Sequence, residues 1–437
     1  MIKNTLVMNL QVGNDNGNSE QDLIINGQAI TQPNVYSKIL RQLPNLEEMN
    51  PKYIAENIHS NLIVTIESPS VNKGLATTFY VGKYALKSGK SLYNIKVGVD
   101  NAKVKSDVPV INTLANIAGY AVGKAYKENE GIEKIDVKVD MTTALPVNQY
   151  RKATVTEFSK QFMDNIHKVT VFLGEHKVLV SIEFEYTKVL PEAVPTVFYL
   201  KALANRLKKY EANVNSLDKK SEDYEQQLKT LEKQKKEAES ILGEYMNEYG
   251  IKVEDLCFDK KKILHVAIGE GTTEFPVTND DDFDRDFIRG SNNGVGHAIE
   301  RVLDDFIADK RLTANFSRQN YSEALKDERN KHHVDATEYI QAELEAEAIM
   351  ILNKCKQEVG KTNNELDLIC VYGGGSILMK EYLYKELNEF AKSVDINVLY
   401  IPKPYSVMAE SLGMYEFTTN HPYFKKLKKV YLQAKKK

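Results

Sequence analysis

Three glycine-bearing turns, each at the end of a β-branched, apolar run, restrict what this chain can fold into. They are "NDNGNS" (residues 14–19), "GEGTT" (269–273) and "GGGS" (373–376). Glycine weakens a strand unless another group must approach its backbone closely. In the first turn, "TLVMNLQV" enters and "DLIING" returns. Asp15 places a carboxylate at the turn, Gly17 frees the backbone, and Asn18 and Ser19 offer short donors. Such a turn is either an anion-binding concavity of backbone N–H groups or a plain Asx hairpin turn. The second turn has the same grammar: "KILHVAIG" enters, "TEFPVTN" leaves, and Gly269, Glu270, Gly271, Thr272 and Thr273 lie between. In the third, the buried strand "LDLICVY" enters Gly373, Gly374, Gly375 and Ser376, and a helix follows. Backbone amides at a helix N-terminus suit an anion or the polar edge of a nucleotide. No lysine follows these glycines and they do not read GxGxxG, so this is neither a Walker motif nor a dinucleotide fingerprint. What is specific is their order across two α/β halves.

Between the first two turns the chain changes character. Residues 1 to about 188 carry strand patterns in "LIVTIES", "TTFYVGKYAL", "DVKVDMTTALPV" and "HKVLVSIEFEYTKVL". "VINTLANIAGYAVGKAY", residues 110–126, has helical spacing and reads as a buried helix. "PEAVPTVFYLKALANRL" then opens a helix, with Glu192 expected in its first turn beside the positive end of the helix dipole. From Leu207 a heptad runs through Val214, Ser221, Leu228, Lys235 and Leu242 at one seam position. Tyr210, Leu217, Tyr224, Leu231, Ala238 and Tyr245 occupy the other. Such a seam predicts a long exposed helix or a helical hairpin. It lies across its own domain or reaches a neighbouring subunit, and its densely charged outer face favours the neighbour. Residues 251 to about 400 return to α/β, with helices around 294–308 and 320–358. A strand, a loop and a closing helix end the chain in a basic, solvated tail.

Composition narrows the function class. The chain has 437 residues and a net charge of −3, so it can bury a large core and is no obvious nucleic-acid binder. Three widely spaced cysteines imply a reducing compartment without a disulfide frame or metal cluster. No apolar run approaches 18 residues, so no membrane partner is expected and the cytoplasm is the default location.

With these motifs in order, the chain resembles the actin-like ATPase superfamily, and within it leans toward the plasmid-segregation actins of the ParM type. "NDNGNS" resembles the family's first phosphate hairpin, "AIGEGTTE" its second, and "YGGGS" its adenosine motif. "VLPEAVPTVFY" is similar to the hinge helix that carries the water-positioning residue, "TTALPVNQY" to a segment of plasmid actins, and "PYSVMAESLGMYEF" to the opening of the last helix. The resemblance covers nearly everything except residues about 200–250. It implies an α/β, actin-like fold: two related α/β domains with a nucleotide cleft between them, plus a long helical insert. Domain I would be residues 1–188 completed by 402–437; domain II would be 189–401 and carry the insert.

The resemblance further implies ATP, with GTP possible, and Mg2+ as cofactors. Glu192 would be the catalytic residue. Asp15 would hold the metal through water, and Asp15, Gly17, Asn18, Ser19, Gly269, Glu270, Gly271, Thr272, Thr273, Gly373, Gly374, Gly375 and Ser376 would bind nucleotide. Two positions depart from the pattern: Ala267 stands where the family has an aspartate, and Asp22 where it has a lysine. Glu270 and Glu274 are carboxylates that could compensate. The implied function is a nucleotide-dependent filament that segregates plasmid DNA. Its partners are further copies of itself and a DNA-binding adaptor of the ParR type, with plasmid DNA contacted only indirectly. The alternatives are an actin-fold small-molecule kinase, a chaperone-type ATPase, or a cell-shape actin unrelated to plasmids. A kinase needs a general-base aspartate near the phosphates, and a chaperone needs a substrate-binding domain; neither is evident.

Overall fold

A computed structural model of the protein describes residues 5–40, 46–96, 102–284, 289–313 and 316–435. The chain divides into two units. One comprises residues 1–145, 149–191 and 417–437; the other comprises 146–148 and 192–416.

The first unit is built on a nine-stranded sheet. Its strands are β1 (Leu6–Asn16), β2 (Glu20–Ile25), β3 (Gln28–Pro33), β4 (Tyr36–Ile39), β5 (Ile63–Glu67), β6 (Thr77–Val81), β7 (Lys134–Leu145), β8 (Ile166–Leu173) and β9 (His176–Pro191). Their order is β3-β2-β1-β7-β9-β8-β5-β6-β4. β1, β7 and β9 run parallel, so their C-terminal ends share one edge. The helix Val108–Glu128 covers the sheet and is buried on nearly every face, which explains its almost continuous apolar sequence. β1 runs three residues deep into "NDNGNS", because Asn14, Asp15 and Asn16 still pair with Leu23, Asp22 and Gln21; the turn itself is only Gly17–Ser19. "TTFYVGKYAL" is a strand only to Val81; beyond Gly82 it becomes the helix Lys83–Lys87. The basic tail is also more structured than its charge implies. It forms the helix Pro422–Lys435, which buries Phe424 and sets Lys428 2.7 Å from both Asp140 and Glu185. Lys436 and Lys437 lie outside the described residues.

The second unit holds β10 (Lys262–Ile268), β11 (Thr273–Glu274), β12 (Val277–Asn279), β13 (Asp282–Phe283), β14 (Gly290–Ser291), β15 (Leu368–Tyr372) and β16 (Asn397–Tyr400). β10, β15 and β16 form its parallel centre. The helices Val295–Asp309, Arg318–Lys326, His333–Lys361 and Gly374–Ser393 cover this sheet. The expected hinge helix begins only at Thr196, so Glu192 lies in the turn ahead of it rather than in its first turn. β9 holds the chain extended as far as Pro191, whose register partner is Leu145.

The heptad segment is a helical hairpin, Thr196–Asn215 and Tyr224–Glu248. Near its base Ala238, Ile241, Leu242 and Tyr245 are buried. Tyr249 accepts from the Val398 N–H at 2.9 Å, and Glu248 pairs with Lys392 at 2.9 Å. Toward the tip, Leu217, Leu228 and Leu231 are only half-buried. Lys235 lies over the Tyr210 ring, 4.3 Å from its centroid, which marks where the outer half begins. Two truncations should therefore behave differently. Joining residue 211 to residue 234 by a short loop is expected to leave the thermal melt within a few degrees of the parent. Replacing residues 200–250 exposes the base and should unfold the unit, since each large apolar side chain there is worth about 1.5–3 kcal/mol. Similar melts for both would place the base outside the core.

Candidate functional site

In the first unit the candidate residues sit at the C-terminal edge of the parallel strands, where open α/β sheets bind ligands. A Cβ on Gly17 would lie 2.8 Å from the Glu20 carbonyl, so only glycine closes this turn. The turn is tied from below: Asn34 donates from its side chain to Gly17 O at 2.7 Å and from its backbone to Ser19 O at 2.8 Å. Asn112 in turn donates to Asn34 Oδ1 at 2.6 Å. Asp15 is half-buried and Asn18 half-exposed, while Ser19 is buried. Asp22 stands directly across from Asp15 and accepts the Thr31 hydroxyl at 2.6 Å.

Beneath the hairpin lies an amide network that the motif reading missed. Gln21 Nε2 is 2.9 Å from Asn14 Oδ1, Asn16 Oδ1 and Thr113 Oγ1, and Gln21 Oε1 accepts from Asn116 at 3.0 Å. His59 completes it through Asn116, and burial lowers the His59 pKa to about 4, so the imidazole stays neutral. Asn16 Nδ2, Asn112 Oδ1 and Thr143 Oγ1 are buried here without a hydrogen-bond partner among the described residues. Orphaned buried polar atoms are uncommon and call for a ligand or an ordered water. Asn112, Thr113 and Asn116, polar positions inside an otherwise apolar helix, were the available signal.

In the second unit, β10 and β11 form the expected hairpin, with Ala267 opposite Glu274. Its tip is held internally: Gly269 N–H donates to Thr272 O at 2.9 Å, and a Cβ on Gly269 would come within 3.1 Å of that oxygen. The side chains are arranged differently from the motif reading. Glu270 turns inward, forms an ion pair with Arg318 at 2.7 Å, and is 7% exposed. Thr273 spends its hydroxyl on Asn293 O at 2.8 Å. Glu274 is buried, so neither glutamate offers an exposed carboxylate in place of the aspartate missing at Ala267. Gly271 O accepts from His297 at 3.0 Å, and Thr272 stays half-exposed. What comes close to this backbone is first of all protein. Gly296 N–H donates to Glu270 O at 2.7 Å, and a Cβ on Gly294 would lie 2.5 Å from that same carbonyl.

The third motif packs on the end of β10. Gly373 has a φ of 95°, and a Cβ there would overlap the Ile268 carbonyl. Gly375 lies against Ile268 and Gly269. Ser376 is buried and donates to Gly373 O at 2.8 Å, within the first turn of the helix Gly374–Ser393. Gly374 alone of the three has nothing within 4 Å of its Cβ position. Among the described residues no group of three or more His, Cys, Asp or Glu side chains is arranged to hold a metal. Mg2+ commonly uses one or two carboxylates with waters and substrate phosphates, and the carboxylate expected to hold it here, Asp15, is half-buried at the end of β1.

Glu192 is half-buried at the start of the turn 192–195. Ala193 follows with a φ of 70°, a left-handed conformation unusual for alanine. Its N–H donates to Glu410 Oε2 at 2.8 Å, and Gly413 lacks the Cβ that would overlap the Pro195 carbonyl.

Comparison with solved structures defines the class. The chain matches the crystal structure of the actin-like protein Alp7A with a TM-score of 0.61 at 14% identity, covering 98% of this chain and 100% of that one. It matches the archaeal actin homologue Ta0583 in complex with ADP with a TM-score of 0.53 at 15% identity, covering 93% and 98%. It also matches ParM of the 15-stranded filament from Clostridium botulinum with a TM-score of 0.54 at 15% identity, covering 94% and 99%. The protein therefore has the actin-like fold, as the motifs implied. Within that fold, residues 297–401 match the family model of the Alp7A C-terminal domain, a stretch that includes the "GGGS" turn. No curated protein matches the chain.

Proposed function

We propose that this chain is an actin-like protein that polymerises with ATP, or GTP, and Mg2+, and that hydrolysis controls the stability of the filament. One observation carries the reading: in each unit of an actin-like fold, a glycine hairpin closes at the C-terminal end of a parallel strand. The backbones of Asp15–Ser19 and Gly269–Thr273 serve the phosphates. Gly373, Gly374, Gly375 and Ser376 shape the nucleoside side, where Gly374 has open space beside it. Asp15 holds Mg2+ through water, and Glu192 orients the attacking water. The solved structures of Ta0583 with ADP, of Bacillus thuringiensis ParM with AMPPNP and of a ParM filament support nucleotide binding and self-association. The resemblance to ParM extends the reading to plasmid DNA segregation in the cytoplasm through a ParR-type adaptor. No helix among the described residues is long and apolar enough to cross a membrane.

Sedimentation tests the reading. The protein should pellet with ATP or GTP and Mg2+, and stay in the supernatant without nucleotide. Turnover of a phosphoryl acceptor without pelleting would instead identify a small-molecule kinase. Asp15→Ala should weaken Mg2+-dependent nucleotide binding about 10- to 100-fold, the worth of one charge-assisted contact. Equal affinity of the parent protein in excess chelator would remove the metal from the reading.

A further inference from the structure

The turn that carries Glu192 is held at both backbone polar groups of Ala193, which belong to the two successive peptide groups flanking its Cα. On one side Glu410 accepts the Ala193 N–H. On the other, the Tyr372 hydroxyl donates to the Ala193 carbonyl at 2.7 Å. Tyr372 is fully buried, is the last residue of β15, and immediately precedes Gly373. Its oxygen is also 3.2 Å from His265 Nδ1, and His265 Nε2 is 3.0 Å from Thr278 Oγ1. Because Tyr372 donates to the carbonyl, Nδ1 must carry the proton that Tyr372 accepts, and Nε2 accepts from Thr278. Burial pushes the His265 pKa down to about 3, so the imidazole stays neutral and the direction of this chain is fixed. A left-handed alanine persists only where its surroundings over-determine it, and here both of its polar backbone groups are engaged.

We propose that Tyr372 and Glu410 are positioning residues that fix the two peptide groups flanking Ala193, Glu410 the one shared with Glu192 and Tyr372 the next, and thereby aim the Glu192 carboxylate at the attacking water. The inference rests on the catalytic reading of Glu192. It assigns a role to the tyrosine that opens "YGGGS" and to a glutamate far from it in sequence, and it ties water placement to the end of the strand that leads into the glycines. Neither residue touches the reacting atoms; each acts through Glu192.

A double-mutant cycle on the full-length protein tests this. Tyr372→Phe keeps the ring and removes the hydroxyl. It should lower kcat for phosphate release about 10- to 100-fold, as expected for a displaced catalytic group, with the ATP Kd changed less than about twofold. In the Glu192→Ala background the same change should cost nothing further, because the group it aims is gone. A merely structural role predicts instead that the two losses multiply, and that result overturns the proposal. Glu410→Ala should slow turnover in the same way, while Glu410→Gln, which keeps an oxygen for the Ala193 N–H, should restore it. This second pair decides the matter if Tyr372→Phe does not fold. Glu192→Ala at the parental rate removes the catalytic reading and the inference with it. Glu192→Ala slow with Tyr372→Phe and Glu410→Ala both at the parental rate removes the inference alone.

Discussion

Replacing Glu192 with alanine is expected to slow phosphate release by about 10- to 1000-fold while nucleotide binding and pelleting persist. Phosphoryl transfer to water asks little covalent chemistry of the protein, but it does ask for an oriented water and neutralised charge. A carboxylate can accept a hydrogen bond, and then a proton, from that water. Glu192 lies in the turn ahead of the helix Thr196–Asn215, and the residue after it is anchored through its N–H at 2.8 Å. Alanine removes the carboxylate and leaves that backbone anchoring untouched. Phosphate release measured beside sedimentation separates the outcomes. Slow release with intact pelleting supports the assignment, and release at the parental rate gives Glu192 a structural role only.

The second large effect concerns the ion pair under the second hairpin. Arg318→Met should cost about 3–5 kcal/mol of stability, because it leaves the Glu270 carboxylate buried and without its cation. The two side chains are 11% and 7% exposed, so water screens them little. Adding Glu270→Gln to Arg318→Met should recover much of the loss, since the stranded charge is then gone. Denaturant unfolding of the single and double variants measures both steps. A loss below about 1 kcal/mol for Arg318→Met would mean that the pair behaves like an exposed one.

The elements that obey simple periodicity were legible before any coordinates: the alternating strands, the apolar helix Val108–Glu128 and the glycine turns at strand ends. The actin-like fold followed from their order. Other features had no local signature. The heptad keeps its phase from Leu217 to Tyr224, across a stretch without glycine or proline, yet the helix breaks between Asn215 and Tyr224. There the hairpin's own packing decides. Glutamate ordinarily reads as solvent-facing, and the distant Arg318 draws Glu270 inward. Ser376 and Thr273 supply hydroxyls to nearby carbonyls, a local satisfaction that sequence spacing cannot distinguish from ligand binding. The left-handed Ala193 is set by Tyr372 and Glu410, 179 and 217 residues away, so no window around "VLPEAVP" contains its cause.

The helical hairpin has a practical consequence. Its second helix runs from Tyr224 to its first buried residue, Ala238, a rise of roughly 20 Å at 1.5 Å per residue. The connecting turn at 216–223 is therefore remote from the core, and most of its residues are exposed. Such loop tips tolerate insertion best. A fluorescent protein or short epitope placed there would be carried on a stalk, roughly 20 Å from the buried base of the hairpin. That makes the turn a natural attachment point for following the protein in living cells without disturbing the chemistry being watched.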